Sequence, residues 1–158
     1  MRYNLIPALE SQLPVFENLF QFYMYDFSKY LELDVEESGL FSPYHDLKNY
    51  WKDVNKFAYI IKSNEKYIGF VLVKYIQTRE KEYFSIAEFF ILKKYHREGI
   101  GKSIAKNIFD LHAGKWEIFH WEQNHPAGLF WRKVIGDYSN GQFSEKAEGG
   151  KYFYLFEN

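Results

Sequence analysis

Residues 88–103 hold the side chains and glycines whose types and spacing could do chemistry. An apolar run, Phe89-Phe90-Ile91-Leu92, meets a short basic loop, then Gly99-Ile100-Gly101, then a stretch of helical periodicity. Glycine lets backbone N–H groups turn inward, and the first turn of a helix leaves N–H donors unpaired beside its positive dipole end. This order of residues builds an anion site that suits a phosphate or pyrophosphate. A competing pattern is the nucleotide-binding loop G-x-x-x-x-G-K-[ST], whose end is matched by Gly101-Lys102-Ser103. Its first glycine would fall at position 96, which is His96. The preceding strands also read as an antiparallel meander rather than the mostly parallel sheet that loop needs, so the pattern is set aside.

Composition narrows the partners. The 158 residues suffice for a real core and are read as a single domain over 1–158. Aromatic residues make up 22% of the chain, so that core is expected to be rich in Phe and Tyr. A net charge of -1 speaks against a nucleic-acid or membrane-surface binder, which needs a basic excess. The absence of cysteine excludes disulfides, thiolate catalysis and Cys-ligated metals. His112, His120 and His125 are scattered with no carboxylate at ligand spacing, so no metal site is expected. No apolar run approaches the ~20 residues that span a bilayer. Residues 1–7 lack a signal-peptide apolar region, and the expectation is a soluble, cytoplasmic protein.

The elements that must position the anion site can be read from periodicity. Residues 2–6 suggest a strand stopped by Pro7. Leu13, Phe16, Phe20, Tyr23, Met24 and Phe27 recur on one helix face over 11–31, with Ser11 as candidate cap, and are read as core. Residues 34–50 read as a loop with a short helix. Strands follow at 57–61, 67–75 and 83–92. Ile100, Ile104, Ile108 and Leu111 mark a helix of about three turns ended near Gly114. Residues 115–121 alternate like a strand, Pro126 opens a helix capped by Asn124, and 141–147 with 151–156 suggest a closing hairpin. This mixture is α+β, with one crossover in the second half.

The segment resembles motif A of the GNAT superfamily N-acetyltransferases, [QR]-x-x-G-x-[GA] after the fourth strand, with the glycines at Gly99 and Gly101. Asn124-His125-Pro126-Ala127-Gly128-Leu129-Phe130-Trp131 resembles motif B, where an Asn after the fifth strand precedes an Ala and an aromatic pair. The two motifs stand in the family's order and spacing, and the likeness covers nearly the whole chain. It implies a central, mostly antiparallel sheet of six to seven strands, splayed between strands 4 and 5, with about four helices. The usual Gln or Arg is replaced by His96, with Arg97 beside it to supply a cation.

The resemblance further implies acetyl transfer from acetyl-CoA to a primary amine by direct attack in a ternary complex, without a metal. The pantetheine arm would pair with the strand 4 edge at Ile91 and Leu92. The pyrophosphate would sit on the amides of Arg97, Glu98, Gly99, Ile100, Gly101 and Lys102. Ser103 either touches phosphate or is a solvated first-turn residue. An amide near Ile91 would hold the carbonyl oxygen if strand 4 is bulged there. Glu88 stands where many relatives carry the general base, or is an ordinary strand carboxylate; Glu122 is the reserve. Trp131 takes the place where many relatives carry a tyrosine acid and is counted with the cofactor-binding residues. Tyr138 is the substitute acid, or rim packing. Asn124 can cap its helix and bond the pantetheine. Asp26, Glu36, Glu37 and His45 are candidates for selecting the acceptor amine. A catalytically silent acyl-CoA-binding module with a sensing or partner role is the alternative, and a homodimer is compatible with so aromatic a chain.

Overall fold

The computed structural model describes residues 2–158, apart from the side chain of Arg97. Seven strands form one sheet: β1 (Asn4–Pro7), β2 (Lys56–Ser63), β3 (Lys66–Gln77), β4 (Glu82–Ile91), β5 (Lys115–Trp121), β6 (Ser144–Glu148) and β7 (Lys151–Glu157). Their order across the sheet is β1-β2-β3-β4-β5-β7-β6. All neighbours are antiparallel except β4 and β5, which are parallel. Three α-helices cover the faces: α1 (Leu13–Leu31), α2 (Ile100–Leu111) and α3 (His125–Tyr138). The expected fourth helix is a five-residue 3-10 segment, Leu47–Trp51.

The two faces of the sheet follow from the period-2 alternation of its strands. Phe70 and Leu72 of β3 turn toward α1 and join Phe16, Phe20, Tyr23 and Phe90. Val71 and Val73 turn the other way, onto Ile104, Ile108 and Phe109 of α2 and Trp131, Val134 and Ile135 of α3. Phe16 and Phe70 are fully buried, and each such side chain contributes about 1.5–3 kcal/mol of burial.

Ser11 does not cap α1. It lies in a 3-10 turn, Glu10–Gln12, where Gln12 Oε1 accepts from the Leu9 N–H at 2.9 Å. Pro14 occupies the first turn, where its missing N–H costs nothing. The closing hairpin turns through Gly149 and Gly150, both at positive φ, as a two-residue hairpin requires.

Two irregularities shape the middle of the sheet. β4 and β5 pair only at Phe84 and Trp116, and beyond that pair they diverge. The β3–β4 register slips between Leu72 and Val73, which leaves Ala87 as an extra residue in β4. The bulge therefore stands before Glu88, and the pairing around Ile91, whose amide role was conditional on a bulge there, is regular. Gly69 locks that region. A Cβ there would lie 2.1 Å from the Phe90 carbonyl oxygen.

No described helix is long and apolar enough to cross a membrane. Among the described residues, no cluster of three or more His, Asp or Glu stands ready for a metal ion.

Candidate functional site

The divergence of β4 from β5 opens a cleft of about 540 Å³ that reaches both faces of the sheet. On β4, Phe90 belongs to the α1 core, and Glu88 shares its face by alternation. Ile91 and Phe89 pack into the α2/α3 core. On β5, Trp116 and Ile118 face α2 and α3, so Phe119 and Trp121 face α1. The backbone alternates too. The Leu92 N–H bonds the Ile68 carbonyl of β3 at 2.8 Å, which directs the N–H groups of Phe89 and Ile91 into the gap. The edge facing the gap is thus Phe89 and Ile91, where the Ile91 N–H is open, its carbonyl accepts from His96 and the Phe89 N–H meets the Tyr23 hydroxyl. Leu92, expected to share it, turns its amide away and does not line the cleft.

At the end of β4, a 3-10 turn (Lys93–Glu98) leads to Gly99 at φ 70°, a left-handed position that favours glycine. The first bond of α2 runs from the Ser103 N–H to the Gly99 carbonyl. The amides of Ile100, Gly101 and Lys102 precede it and have no partner within the helix. Gly101 lines the cleft, and a Cβ on it would meet Phe130 at 3.2 Å and Ile91 at 3.6 Å. The Ile100 side chain is buried in the core, so only its amide can serve a ligand. His96 also lines the cleft, and its Nε2–H donates to the Ile91 carbonyl at 2.6 Å, tying the loop to the strand. Glu98 is exposed, and the Arg97 side chain lies outside the described residues. The Lys102 ammonium is held by Asp137 of α3, and the Ser103 hydroxyl meets Tyr3 at 2.7 Å. Neither side chain is offered to the loop.

Glu88 is one of two partly buried carboxyls lining the cleft, the other being Asp26. Desolvation pushes Glu88 up to about 7, against the opposing pull of the Tyr23 and Tyr44 hydroxyls and the Lys74 charge. Burial and the nearby Glu88 charge raise both tyrosines, so they stay protonated. Lys74 is fixed by Asp46 at 3.1 Å, which also binds Lys56 at 2.8 Å. Burial alone would raise Asp46, but hydrogen bonds from Asn49, Lys56 and Lys74 hold it well below the usual carboxylate range.

Asn124 caps α3, its Oδ1 accepting from the Ala127 N–H at 3.2 Å. Its side-chain NH2 has no protein partner among the described residues, and the residue lines the cleft. Trp131 is a buried wall residue, edge-on to Phe89 with ring centroids 5.4 Å apart.

Three expectations need correction on placement. Glu122 is exposed in the turn after β5 and does not line the cleft. Tyr138 lies at the far end of α3, where its hydroxyl donates to Asp110 at 2.7 Å and accepts from Asn158 at 2.9 Å. Of the acceptor-loop candidates, only Asp26 lines the cleft, paired with Lys93 at 2.9 Å. Glu36 binds Ser42 at 2.7 Å, while Glu37 and His45 are exposed outside it.

Residues 17–136 match the profile of the acetyltransferase (GNAT) family, more than half of the chain. The chain belongs to the GNAT family. Its fold is also that of solved acetyltransferases. One from Thermus thermophilus superposes with a TM-score of 0.71 at 14% identity, covering 100% of this chain and 98% of that one. The PaiA N-acetyltransferase of Thermoplasma acidophilum, solved with coenzyme A, gives 0.67 at 11% identity with 100% of both chains covered. An aminoglycoside 6'-N-acetyltransferase of Acinetobacter baumannii gives 0.63 at 14%, covering 94% and 95%. No curated protein matches the sequence.

In this GNAT chain the aromatic stripe of α1 reads from the sequence as core, with Asp26 alone assigned to the acceptor side. Tyr23, Met24, Asp26, Phe27 and Tyr30 in fact line the cleft beside Tyr44, with Phe119 and Trp121 of β5 also in the lining. Asp26 was the available signal, because a carboxylate inside an otherwise aromatic stripe points to a boundary of the core.

Proposed function

We propose that this GNAT protein transfers an acetyl group from acetyl-CoA to a primary amine by direct attack in a ternary complex, the whole chain acting as one catalytic domain. The observation that carries the reading is the arrangement about one gap in the sheet. An anion cradle and an unpaired strand edge face α3, and a carboxyl poised near neutral pH faces α1. The residues fit acetyl-CoA: the amides of Ile100, Gly101 and Lys102 suit a pyrophosphate, and the Phe89–Ile91 edge with the Asn124 amide suits an amide-bearing arm.

Bound acetyl-CoA would supply the activated acetyl thioester. The chain's own groups do the rest. The Ile91 N–H is a donor aimed into the gap, where a carbonyl oxygen gaining charge would need it, while the Phe89 N–H meets the Tyr23 hydroxyl. Glu88, ionised above about pH 7, takes a proton from the incoming ammonium. Phe89, Phe130 and Trp131 exclude water from the α3 side. Holding both reactants across one gap removes much of the entropic barrier, an effect worth up to about 7–11 kcal/mol.

Calorimetric titration with acetyl-CoA tests the cofactor half of the reading: saturable one-to-one binding is expected, and no heat at millimolar ligand would contradict it. The silent-module alternative shares that binding and is separated by turnover.

A further inference from the structure

The α1 face of the cleft has a character that acetyl transfer alone does not require. Its wall is apolar and mostly aromatic: Met24, Phe27, Tyr30, Leu33, Phe119 and Trp121. Three lysines, Lys29, Lys93 and Lys151, stand at this wall, Lys29 with its ammonium 4.9 Å from the Tyr30 ring centroid. Asp26 is already paired with Lys93 at 2.9 Å. The Lys151 ammonium stands over the Phe119 and Trp121 rings, 4.5 and 5.0 Å from their centroids. Glu88 is the one lining carboxyl without a lysine ion pair among the described residues. A polycation would bring several ammonium groups beside three lysines, with Asp26 already paired and Glu88 left to meet them, a like-charge arrangement that costs affinity. An apolar body gains instead by displacing water from the aromatic wall.

We propose that the acceptor is a primary monoamine on an apolar, aromatic-sized body, with its ammonium presented to Glu88 and its body on Phe27, Tyr30, Phe119 and Trp121. The inference rests on the acetyl-transfer reading and narrows its substrate class. The transfer forms the amide N–C bond and breaks the thioester C–S bond. Of the two protons the ammonium gives up, one goes to Glu88 and thence to solvent, and the other ends on the thiol sulfur.

The experiment compares kcat/KM for thiol release with phenethylamine and hexylamine against spermidine and kanamycin, at one pH and ionic strength. The same amines are titrated calorimetrically into CoA-saturated protein. The apolar monoamines are expected to lead by at least about tenfold, the discrimination even a small apolar group gives. Met24→Glu, which adds a carboxylate to this wall, is expected to narrow that lead. Equal or better use of spermidine or kanamycin would overturn the proposal. Should no amine be acetylated while the apolar amines still bind preferentially, the transfer reading fails and the recognition of the acceptor body stands. No preference in either readout overturns it.

Discussion

Glu88 and Phe89 are neighbours on β4, yet they open on opposite faces of the gap in the sheet. Glu88 shares the α1 side of the cleft with Tyr23 and Tyr44, while Phe89 lies edge-on to Trp131 of α3. The cleft carboxyl and the α3-side aromatic wall are therefore held by adjacent residues of one strand. The bulge at Ala87 sets which residue faces which side.

If Glu88 is the base, Glu88→Gln lowers kcat by about 10²–10⁴-fold and leaves CoA affinity unchanged. The wild-type rate should rise through about pH 7 as the carboxyl ionises, and the variant should lose that ascending limb. A pH–rate profile with preserved amplitude in the variant would remove Glu88 from the role.

The same carboxyl makes stability depend on pH. Its folded pKa of about 7 lies above the ordinary 4.5, so the folded chain holds the proton more tightly than the unfolded one. Stability contributed by this group is fully present below pH 4.5 and is lost as pH rises toward 7, by at most roughly 3 kcal/mol. Denaturant titrations of wild type and Glu88→Gln should show the variant gaining relative stability between pH 4.5 and 8. A stability difference between the two that stays constant from pH 4.5 to 8 contradicts this.

Gly99→Asp forces a side chain into a left-handed position and sets a carboxylate beside the cradle. The backbone strain costs about 1 kcal/mol, and CoA should bind at least about tenfold more weakly. An unchanged dissociation constant would place the phosphate site elsewhere.

Tyr138→Phe removes a hydroxyl bonded to Asp110 and Asn158, outside the cleft. Stability should fall by about 1 kcal/mol with kcat intact. A large drop in kcat would restore Tyr138 as the acid.

Gly69→Ala drives a methyl to 2.1 Å from the Phe90 carbonyl oxygen, a backbone atom that cannot swing aside. Unfolding experiments should show a loss of about 3 kcal/mol or more. Near-wild-type stability would mean that β3 and β4 are less closely paired than described.

Local pattern made much of this legible from the sequence. Gly99, Gly101 and Asn124 announce backbone geometry by residue type, and the structure finds each at a helix N-terminus. The strand order and the parting of β4 from β5 came through the family likeness, because period-2 alternation carries no information on strand partners. What stayed hidden was set by tertiary neighbours. The bulge at Ala87 has no glycine to mark it, and the same aromatic types fill the core at Phe20 and the cleft wall at Phe27. Tyr138 and Glu122 looked available only because their distance from the gap depends on packing.

The most direct test of the central claim is amine-dependent thiol release from acetyl-CoA, measured on wild type and Glu88→Gln alongside calorimetric CoA affinity. Direct transfer through this cleft predicts turnover in the wild type that collapses in the variant at unchanged CoA affinity. Tight CoA binding with no amine-dependent thiol release in the wild type would contradict it and leave a silent acyl-CoA-binding module.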